Sequence, residues 1–372
     1  MRIGFLLSGS LDTITGGYIY DRKLVEFLQG SGHQVEILPI TVPLNVSKLF
    51  KGLRSLETGI YDVLLEDELD HRALIQINRT LKTNGECPIV SIVHNLHSLE
   101  FGVRKQDGWD MSLEREYLDT VDGFVFNSRT TRRAVENLAG SGYRGVIAPP
   151  GGDRLPGGIS EAGISERACK PGPLRILFLA NLLPNKGLQV LLNAIAGLPE
   201  DKFVLTVIGN QSTDLIYANK IASQIRRLGL EDKVNFSGTR DDAALAAGLL
   251  ENHVMAVPSF YEGFGIAYLE GMAFGLPAIA TTSGAAGEII RDGENGFLIE
   301  PGDSASLAQR LQELDENREL LSQMGINALR RFKEQPTWAD SGKDVLEYLS
   351  EIVRTYPEKA KPRQKRGHLL SS

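Results

Sequence analysis

Residues 258–283 read PSFYEGFGIAYLEGMAFGLPAIATTS. Two glutamates, Glu262 and Glu270, flank a Gly-Phe-Gly turn at 263–265. The preceding run, Asn252 to Pro258, is short and apolar and ends in proline, as a buried parallel strand does. After Gly265 the spacing is helical, with Ile266, Leu269, Met272 and Ala273 on one face until Gly275 and Pro277 stop it. A strand–turn–helix unit with glycine at the turn gathers free backbone N–H groups at the positive end of a helix, where an anion is favoured. Glu270, one turn into that helix, can accept hydrogen bonds from a vicinal diol such as a ribose. Glu262, on the strand side, faces whatever group extends beyond the anion. The arrangement suits a nucleotide-linked sugar.

The glutamate spacing alone would carry little weight, because the chain has 47 acidic residues and two solvated carboxylates flanking a helix start is the plainer account. The string around them decides. Proline-serine, then Glu262-Gly263, Gly265, Glu270-Gly271 and Gly275-Leu-Pro277, continuing through Gly284-Ala-Ala-Gly-Glu-Ile-Ile290 and Asp292-Gly-Glu-Asn-Gly-Phe-Leu298 to Pro301-Gly-Asp303, resembles the signature of the retaining, nucleotide-sugar-dependent glycosyltransferases of family four (glycosyl transferases group 1). That resemblance implies the GT-B fold: two Rossmann-like, doubly wound parallel-sheet domains facing across a cleft, acceptor on the first and donor on the second.

The whole chain agrees with an α/β enzyme. Its 372 residues suffice for two cores, and 42% apolar with 23% charged residues excludes a disordered or fibrous class. No apolar stretch approaches the roughly 20 residues that cross a bilayer, and the N-terminus lacks the pattern of a signal peptide. Two cysteines, Cys87 and Cys169, stand far apart, which points to a reducing, cytosolic setting without disulfides. A net charge of −7 argues against nucleic-acid binding. The exception is the tail at 357–372, where Lys359, Lys361, Arg363, Lys365 and Arg366 cluster. It reads as a solvated terminus or as a weak contact with an anionic membrane face, at about 1 kcal/mol per basic residue.

Strands alternate with helices throughout, the sign of parallel sheets. Short apolar runs at 2–7, Val35–Pro39, Val63–Leu65, Pro88–Val93, Gly123–Phe126 and Gly145–Ala148 form one series, with helices over Tyr18–Gln29 and 129–139. Residues 149–173, PPGGDRLPGGISEAGISERACKPGP, show no periodicity and read as an interdomain connection. A second series runs from Leu174–Ala180 to Phe297–Ile299. The expected division is 1–165 for the first domain and 172–335 for the second. A final amphipathic helix within 341–356 is expected to cross back to the first domain.

Several further positions fall at carboxyl edges of strands, where open parallel sheets bind ligands. Lys186, in FLANLLPNKG at 178–187, is placed to neutralise a diphosphate leaving group. The resembling family reads Gly-Arg-Leu-x-x-x-Lys-Gly here, and this chain has Ala180 and Asn181 in place of the glycine and arginine. Losing that charged donor costs about 1.5–3 kcal/mol of leaving-group stabilisation, unless Arg104 or Arg240 compensates or backbone donors suffice. Gly16 and Gly17 open a helix after the first strand and let amides approach a phosphate; a simple tight turn explains them equally. By resemblance, His94 touches the donor sugar, Arg240 lies on the loop that reads the base, and the amides of Gly265, Ile266 and Ala267 join Lys186 and Gly16–Gly17 on the diphosphate, with Gly263 and Phe264 among the nucleotide-binding positions. His97, Asn127, Ser128 and Gly151-Gly152-Asp153 also lie at edges, with Ser128 read first as a helix cap.

No Asp-x-Asp flanked by strands occurs, so a metal-independent reaction without a cofactor is expected, the nucleotide sugar being a substrate. The reading is a retaining hexosyltransferase acting from a UDP- or GDP-sugar onto a hydroxyl acceptor. The alternatives are a phosphorylase or epimerase on the same fold, or a non-catalytic GT-B subunit, which Asn181 favours. Acceptor contacts are expected from loops at 41–60 and 96–115, where no motif is visible.

Overall fold

The computed structural model describes residues 1–40, 60–84, 87–99, 108–155, 157–199 and 201–356. Two six-stranded parallel sheets organise it. The first holds β1 (Arg2–Ser8), β2 (Gln34–Ile40), β3 (Val63–Asp67), β4 (Ile89–Val93), β5 (Gly123–Phe126) and β6 (Gly145–Ile147), in the order β2-β1-β3-β4-β5-β6. The second holds β7 (Leu174–Leu179), β8 (Phe203–Ile208), β9 (Val234–Gly238), β10 (Val254–Ala256), β11 (Ala278–Thr281) and β12 (Gly296–Ile299), in the order β12-β11-β10-β7-β8-β9. Strand order reverses between β1 and β3 in one sheet and between β7 and β10 in the other. At such switch points the connections leave in opposite directions and open a crevice at the carboxyl ends.

Helices cover both faces of the sheets, so the central strands are mostly apolar and buried, whereas the edge strands β2 and β9 are largely exposed. Val63, Leu64 and Leu65 are fully buried in β3, as are Ile176, Leu177 and Phe178 in β7. The helices of the first sheet are α1 (Gly16–Gly30), α2 (His71–Asn84), α3 (Gly108–Leu118) and α4 (Arg129–Ala139). Sequence patterning does not reveal α2, because its buried face includes His71 and Asn78 beside Leu74 and Ile77. Asn78 belongs inside: its amide donates to Glu66 and to Thr120, both at 2.9 Å, which offsets the cost of burying it. Helix α3 is likewise invisible to that patterning.

Around the second sheet lie α5 (Glu161–Cys169), α6 (Leu188–Ile195), α7 (Leu215–Leu228), α8 (Asp242–Glu251), α9 (Ile266–Ala273), α10 (Ala286–Ile289), α11 (Ser304–Glu316) and α12 (Arg318–Lys333). Helix α5 corrects two expectations. The connection over 149–173 is not featureless, and a first-domain limit at 165 cuts a helix that packs on the second domain. Ser160 caps α5, its hydroxyl accepting from Gly163 N at 3.1 Å. Ile164 and Ala168 enter the second core, and the Ser165 and Ser322 hydroxyls meet at 2.9 Å. A single apolar i, i+4 pair is too short a pattern to show in sequence.

The last helix, α13 (Trp338–Thr355), returns to the first sheet. It starts earlier than expected, because Thr337 and Asp340 form a reciprocal capping box. Trp338, Val345, Leu349 and Ile352 pack with Ile3, Phe5 and Leu28 in the first domain's core. Burying each of these side chains is worth about 1.5–3 kcal/mol. No described helix is long and apolar enough to cross a membrane.

Candidate active site

The two switch points face each other across a cavity of about 460 Å³. Every residue singled out for donor binding lines it: Gly16, Gly17, His94, Asn181, Lys186, Arg240, Glu262, the turn Gly263–Ala267, and Glu270. His97 does not, and Arg104 and the basic tail lie outside the described residues.

The two glycine-containing loops of the second domain meet because β7 and β10 are neighbours at the switch point. Phe260 N donates to Asn185 O at 2.8 Å. Gly187 has φ +76°, and a β-carbon there would lie 2.1 Å from Pro258 O, so Lys186 must be followed by glycine. Lys186 Nζ is thereby brought to 2.9 Å from Glu262 Oε2, which also accepts from Ser259 Oγ at 3.1 Å. The Glu262 backbone is itself held by Gly284-Ala285: Ala285 N donates to Glu262 O at 2.8 Å, and a β-carbon on Gly284 would stand 2.2 Å from that oxygen. Lys186 and Glu262 are partly exposed to the cavity, so a ligand can exchange for either.

Gly265, at φ 99°, precedes α9, whose first amides line the cavity. Glu270, one turn in, is 7% exposed and accepts from Arg154 Nε at 2.7 Å. Burial raises the Glu270 pKa, the Arg154 charge and hydrogen bond oppose that, and Asp242 adds to it; the net direction is upward.

From the first domain, Thr15 caps α1, its hydroxyl accepting from Tyr18 N at 3.3 Å, so Gly16 and Gly17 form the first turn of that helix. A β-carbon on Gly17 would lie 3.2 Å from the His94 ring. His94 Nε2 is 2.9 Å from Asp21 Oδ1. Burial alone would lower the His94 pKa; the charge and hydrogen bond of Asp21, with Asp67 behind them, reverse this and lift it to about 9. The Asp21 partner therefore favours the cationic imidazole. The Gly263 turn docks on the same edge. Gly263 O lies 3.0 Å from Ser128 Oγ and 3.2 Å from Thr131 Oγ1, and Asn127 donates to His94 O at 2.8 Å. Ser128 also caps α4, as its position suggests.

Gly151, Gly152 and Asp153 do not face the cleft. They pin the connection to α13: Trp338 N donates to Asp153 at 2.8 Å, and a β-carbon on Gly151 would meet Trp338 N at 2.2 Å. The next residue, Arg154, is the one that enters the cavity, and sequence reasoning missed it. Its place just beyond the carboxyl end of β6 was the available signal. Asp21 was also missed; a carboxylate on the apolar face shared by Ile19, Tyr20, Leu24 and Leu28 was its only trace.

Asn181 holds two backbones. Its amide donates to Ile14 O across the cleft at 3.1 Å, and its oxygen accepts from Asn210 N at 2.9 Å. The position is thus a strut between the domains. Two buried groups, Asp21–Asp67–His94 and Glu68–His71–Glu114, each place ligand-type atoms within 4.8 Å of one another. In the first, His94 Nε2 engages Asp21 Oδ1 while the buried Asp21 Oδ2 has no partner among the described residues; the second lies outside the cavity lining.

Two doubly wound domains with a charged cavity at opposed switch points define a GT-B glycosyltransferase architecture. Among solved structures, a sucrose-phosphate synthase from Thermosynechococcus elongatus superposes with a TM-score of 0.79 at 20% identity, covering 95% of this chain and 99% of the other. An Anabaena protein in complex with UDP and glucose superposes with a TM-score of 0.76 at 20% identity, over 95% and 100% of the two chains. Among curated relatives, a phosphatidyl-myo-inositol mannosyltransferase of Mycobacterium leprae is 28% identical over 96% of each chain. A D-inositol 3-phosphate glycosyltransferase of Rhodococcus erythropolis is 27% identical, over 68% of this chain and 60% of its own length. Residues 164–331 match the family model described as glycosyl transferases group 1. That match and these relatives support a group 1 glycosyltransferase.

Proposed function

We propose that the protein is a retaining, metal-independent hexosyltransferase that moves a sugar from a UDP- or GDP-sugar to a hydroxyl acceptor. The observation that carries this reading is the Lys186–Glu262 pair at 2.9 Å, set in one cavity with Glu270 and with glycine turns from both domains. The Anabaena complex with UDP and glucose and the mannosyltransferase relative make glucose and mannose the first sugars to try.

In this reading Lys186, the Gly16–Gly17 amides and the Gly265–Ala267 amides take the diphosphate, Glu262 orients the sugar hydroxyls, and Glu270 accepts from the ribose. Arg240 stacks on the base. The C1–O bond to the diphosphate breaks as the acceptor oxygen bonds to C1 on the same face, and the acceptor proton passes to the departing phosphate oxygen. Charge at the leaving group comes from Lys186, from the His94 imidazolium beneath Gly17, and from two helix starts, so positive charge does not depend on an arginine at 181. The loops assigned to the acceptor, 41–60 and 96–115, fall largely outside the described residues. We place the activity in the cytosol, with the basic tail as its contact with a membrane face.

Thermal-shift screening against UDP-, GDP- and ADP-sugars tests donor binding, since a ligand stabilises the fold according to its occupancy. Anomeric analysis of the product tests retention, and assays with and without a chelator test metal independence. Release of a sugar phosphate from inorganic phosphate would replace this reading by a phosphorylase. Because Asn181 stands where the family has arginine, a non-catalytic subunit is the second reading. It would be adopted if donor binds but is neither transferred nor hydrolysed.

A further inference from the structure

We propose that Arg154, contributed by the connection between the domains, is a positioning residue of the donor site: it grips one oxygen of Glu270 and so aims the other at the ribose diol. The inference rests on the reading that Glu270 receives the ribose. Three observations carry it. Arg154 Nε donates to Glu270 Oε1 at 2.7 Å, which leaves Oε2 for a ligand. Arg154 Nη1 reaches Asp242 Oδ1 at 3.0 Å, so the guanidinium is held between two carboxylates on two different helices, α8 and α9. Arg154 follows Asp153, whose carboxylate accepts from Trp338 N, so its backbone is tied to the start of α13. A side chain that is 10% exposed and fixed at both ends leaves its partner little rotational freedom.

The surroundings of Glu270 make this consequential. The carboxylate is buried, and of the charged groups around it only Arg154 offsets burial, while Asp242 adds to it. Helix α12, packed against α9, contributes buried Met324 and Ala328 rather than charge. Arg240, Lys186 and Glu262 line the same cavity, with Lys186 already engaged by Glu262. Without the guanidinium, Glu270 would take up a proton at a higher pH. As an acid it offers the diol one acceptor fewer and a hydroxyl in competition. Arg154 thus works through Glu270 rather than on the reacting atoms. It also ties the pocket to the segment that joins the two domains.

The test is titration calorimetry of the full-length protein with UDP, GDP and ADP from pH 6.5 to 8.5, comparing wild type with Arg154→Met, Arg154→Lys, Glu270→Gln and the Arg154→Met/Glu270→Gln double variant. Arg154→Met should weaken nucleotide binding relative to wild type, and the deficit should grow as pH falls, by up to about tenfold per unit below the Glu270 pKa. Arg154→Lys keeps a charge near Glu270 and should abolish that pH dependence. Glu270→Gln should bind weakly at every pH, and adding Arg154→Met to it should change little. A deficit in Arg154→Met that is constant with pH, or that persists in full in the Glu270→Gln background, would overturn the proposal in favour of a direct contact with the nucleotide. Unchanged affinity in Glu270→Gln would remove the ribose reading itself, a failure distinct from the first. Thermal melts of each variant separate loss of binding from loss of fold.

Discussion

At the carboxyl edge of the first sheet the ionisable side chains are sunk beneath the cavity wall and paired with one another: His94 is 7% exposed and Asp21 fully buried. At the edge of the second sheet they stand in the cavity, with the Lys186 and Glu262 side chains 24% and 18% exposed. The first edge is built from groups that cannot leave their partners, the second from groups that can. In the proposed reading a ligand is met by exchange at the second edge, while the opposite wall supplies fixed charge and backbone. The contrast extends to pH through the two buried histidines, His94 of the first half being displaced upward and His253 of the second downward.

The comparison breaks most directly at Lys186. Lys186→Ala should lower kcat by about 10²–10³-fold, the loss seen when one donor to developing charge is removed, and leave the melting temperature nearly unchanged. Asp21→Asn, which weakens the fixed cation opposite, should cost less in turnover. A Lys186→Ala variant within tenfold of wild type would mean that the fixed wall holds the leaving group, and the contrast would have to be reversed.

The pH polarity comes next. His94 is lifted from 6.5 to about 9 and binds its proton more tightly when folded, so its contribution is complete below pH 6.5 and disappears as pH rises through 9. Asp67 and Glu66, raised to about 7 and about 8 chiefly by burial, act in the same sense: folding favours their neutral forms, and that advantage is lost as they ionise. In the second domain His253 is depressed to about 3 by burial and by Arg175, Arg318 and Arg167. Its contribution is present above pH 6.5 and shrinks as pH falls toward 3. Hydrogen exchange should show β1, β3 and β4 loosening first on the alkaline side and β7 and β10 first on the acid side. Asp21→Asn should flatten the alkaline limb. The polarity is refuted if both halves open together at both extremes.

How legible each half was in the sequence follows the same division. The edge of the second sheet could be read because its groups are placed locally: a glycine turn, a lysine before a glycine and two glutamates all lie within a few residues of the motif. Glu262 and Lys186 needed only the neighbourhood of β7 and β10 to meet. What stayed hidden depends on distant burial. Asp21 has meaning only once His94, 73 positions away, is folded against it, and Arg154 sits in a segment whose Pro and Gly content reads as connection. Helix α2 was obscured by His71 and Asn78 on its inner face, and α5 by having only Ile164 and Ala168 to bury.

Where the edges touch, Gly263 gives a steric test of how tightly they are joined. A β-carbon there would come 2.1 Å from His94 O, a backbone atom that cannot swing aside. Gly263→Ala should cost about 1–3 kcal/mol by overpacking and raise the KM for donor, because relief requires the two edges to part. Gly17→Ala meets only the His94 ring edge, at 3.2 Å, and should be milder. Equal melting temperatures for Gly263→Ala and wild type would mean that the two sheets do not close on each other in solution.

The smallest expected effect is at Asn181, where the contrast between exchangeable and fixed groups is most finely balanced. The residue lies on the donor edge, in the position of a charged contact, yet its side chain spans the cleft to Ile14 O and supports Asn210 N. Asn181→Asp keeps the acceptor for Asn210 and turns the donor to Ile14 into a second acceptor. Losing one such hydrogen bond at an exposed site costs about 0.5–1.5 kcal/mol, and the new negative charge opposes a diphosphate besides. Asn181→Arg restores the charge but loses the acceptor. If the strut matters more, Asn181→Arg will show a lower melting temperature and no gain in kcat. If charge was what the position lacked, kcat will rise by more than the few-fold that one surface charge supplies, and Asn181 will belong with Lys186 among the exchangeable groups.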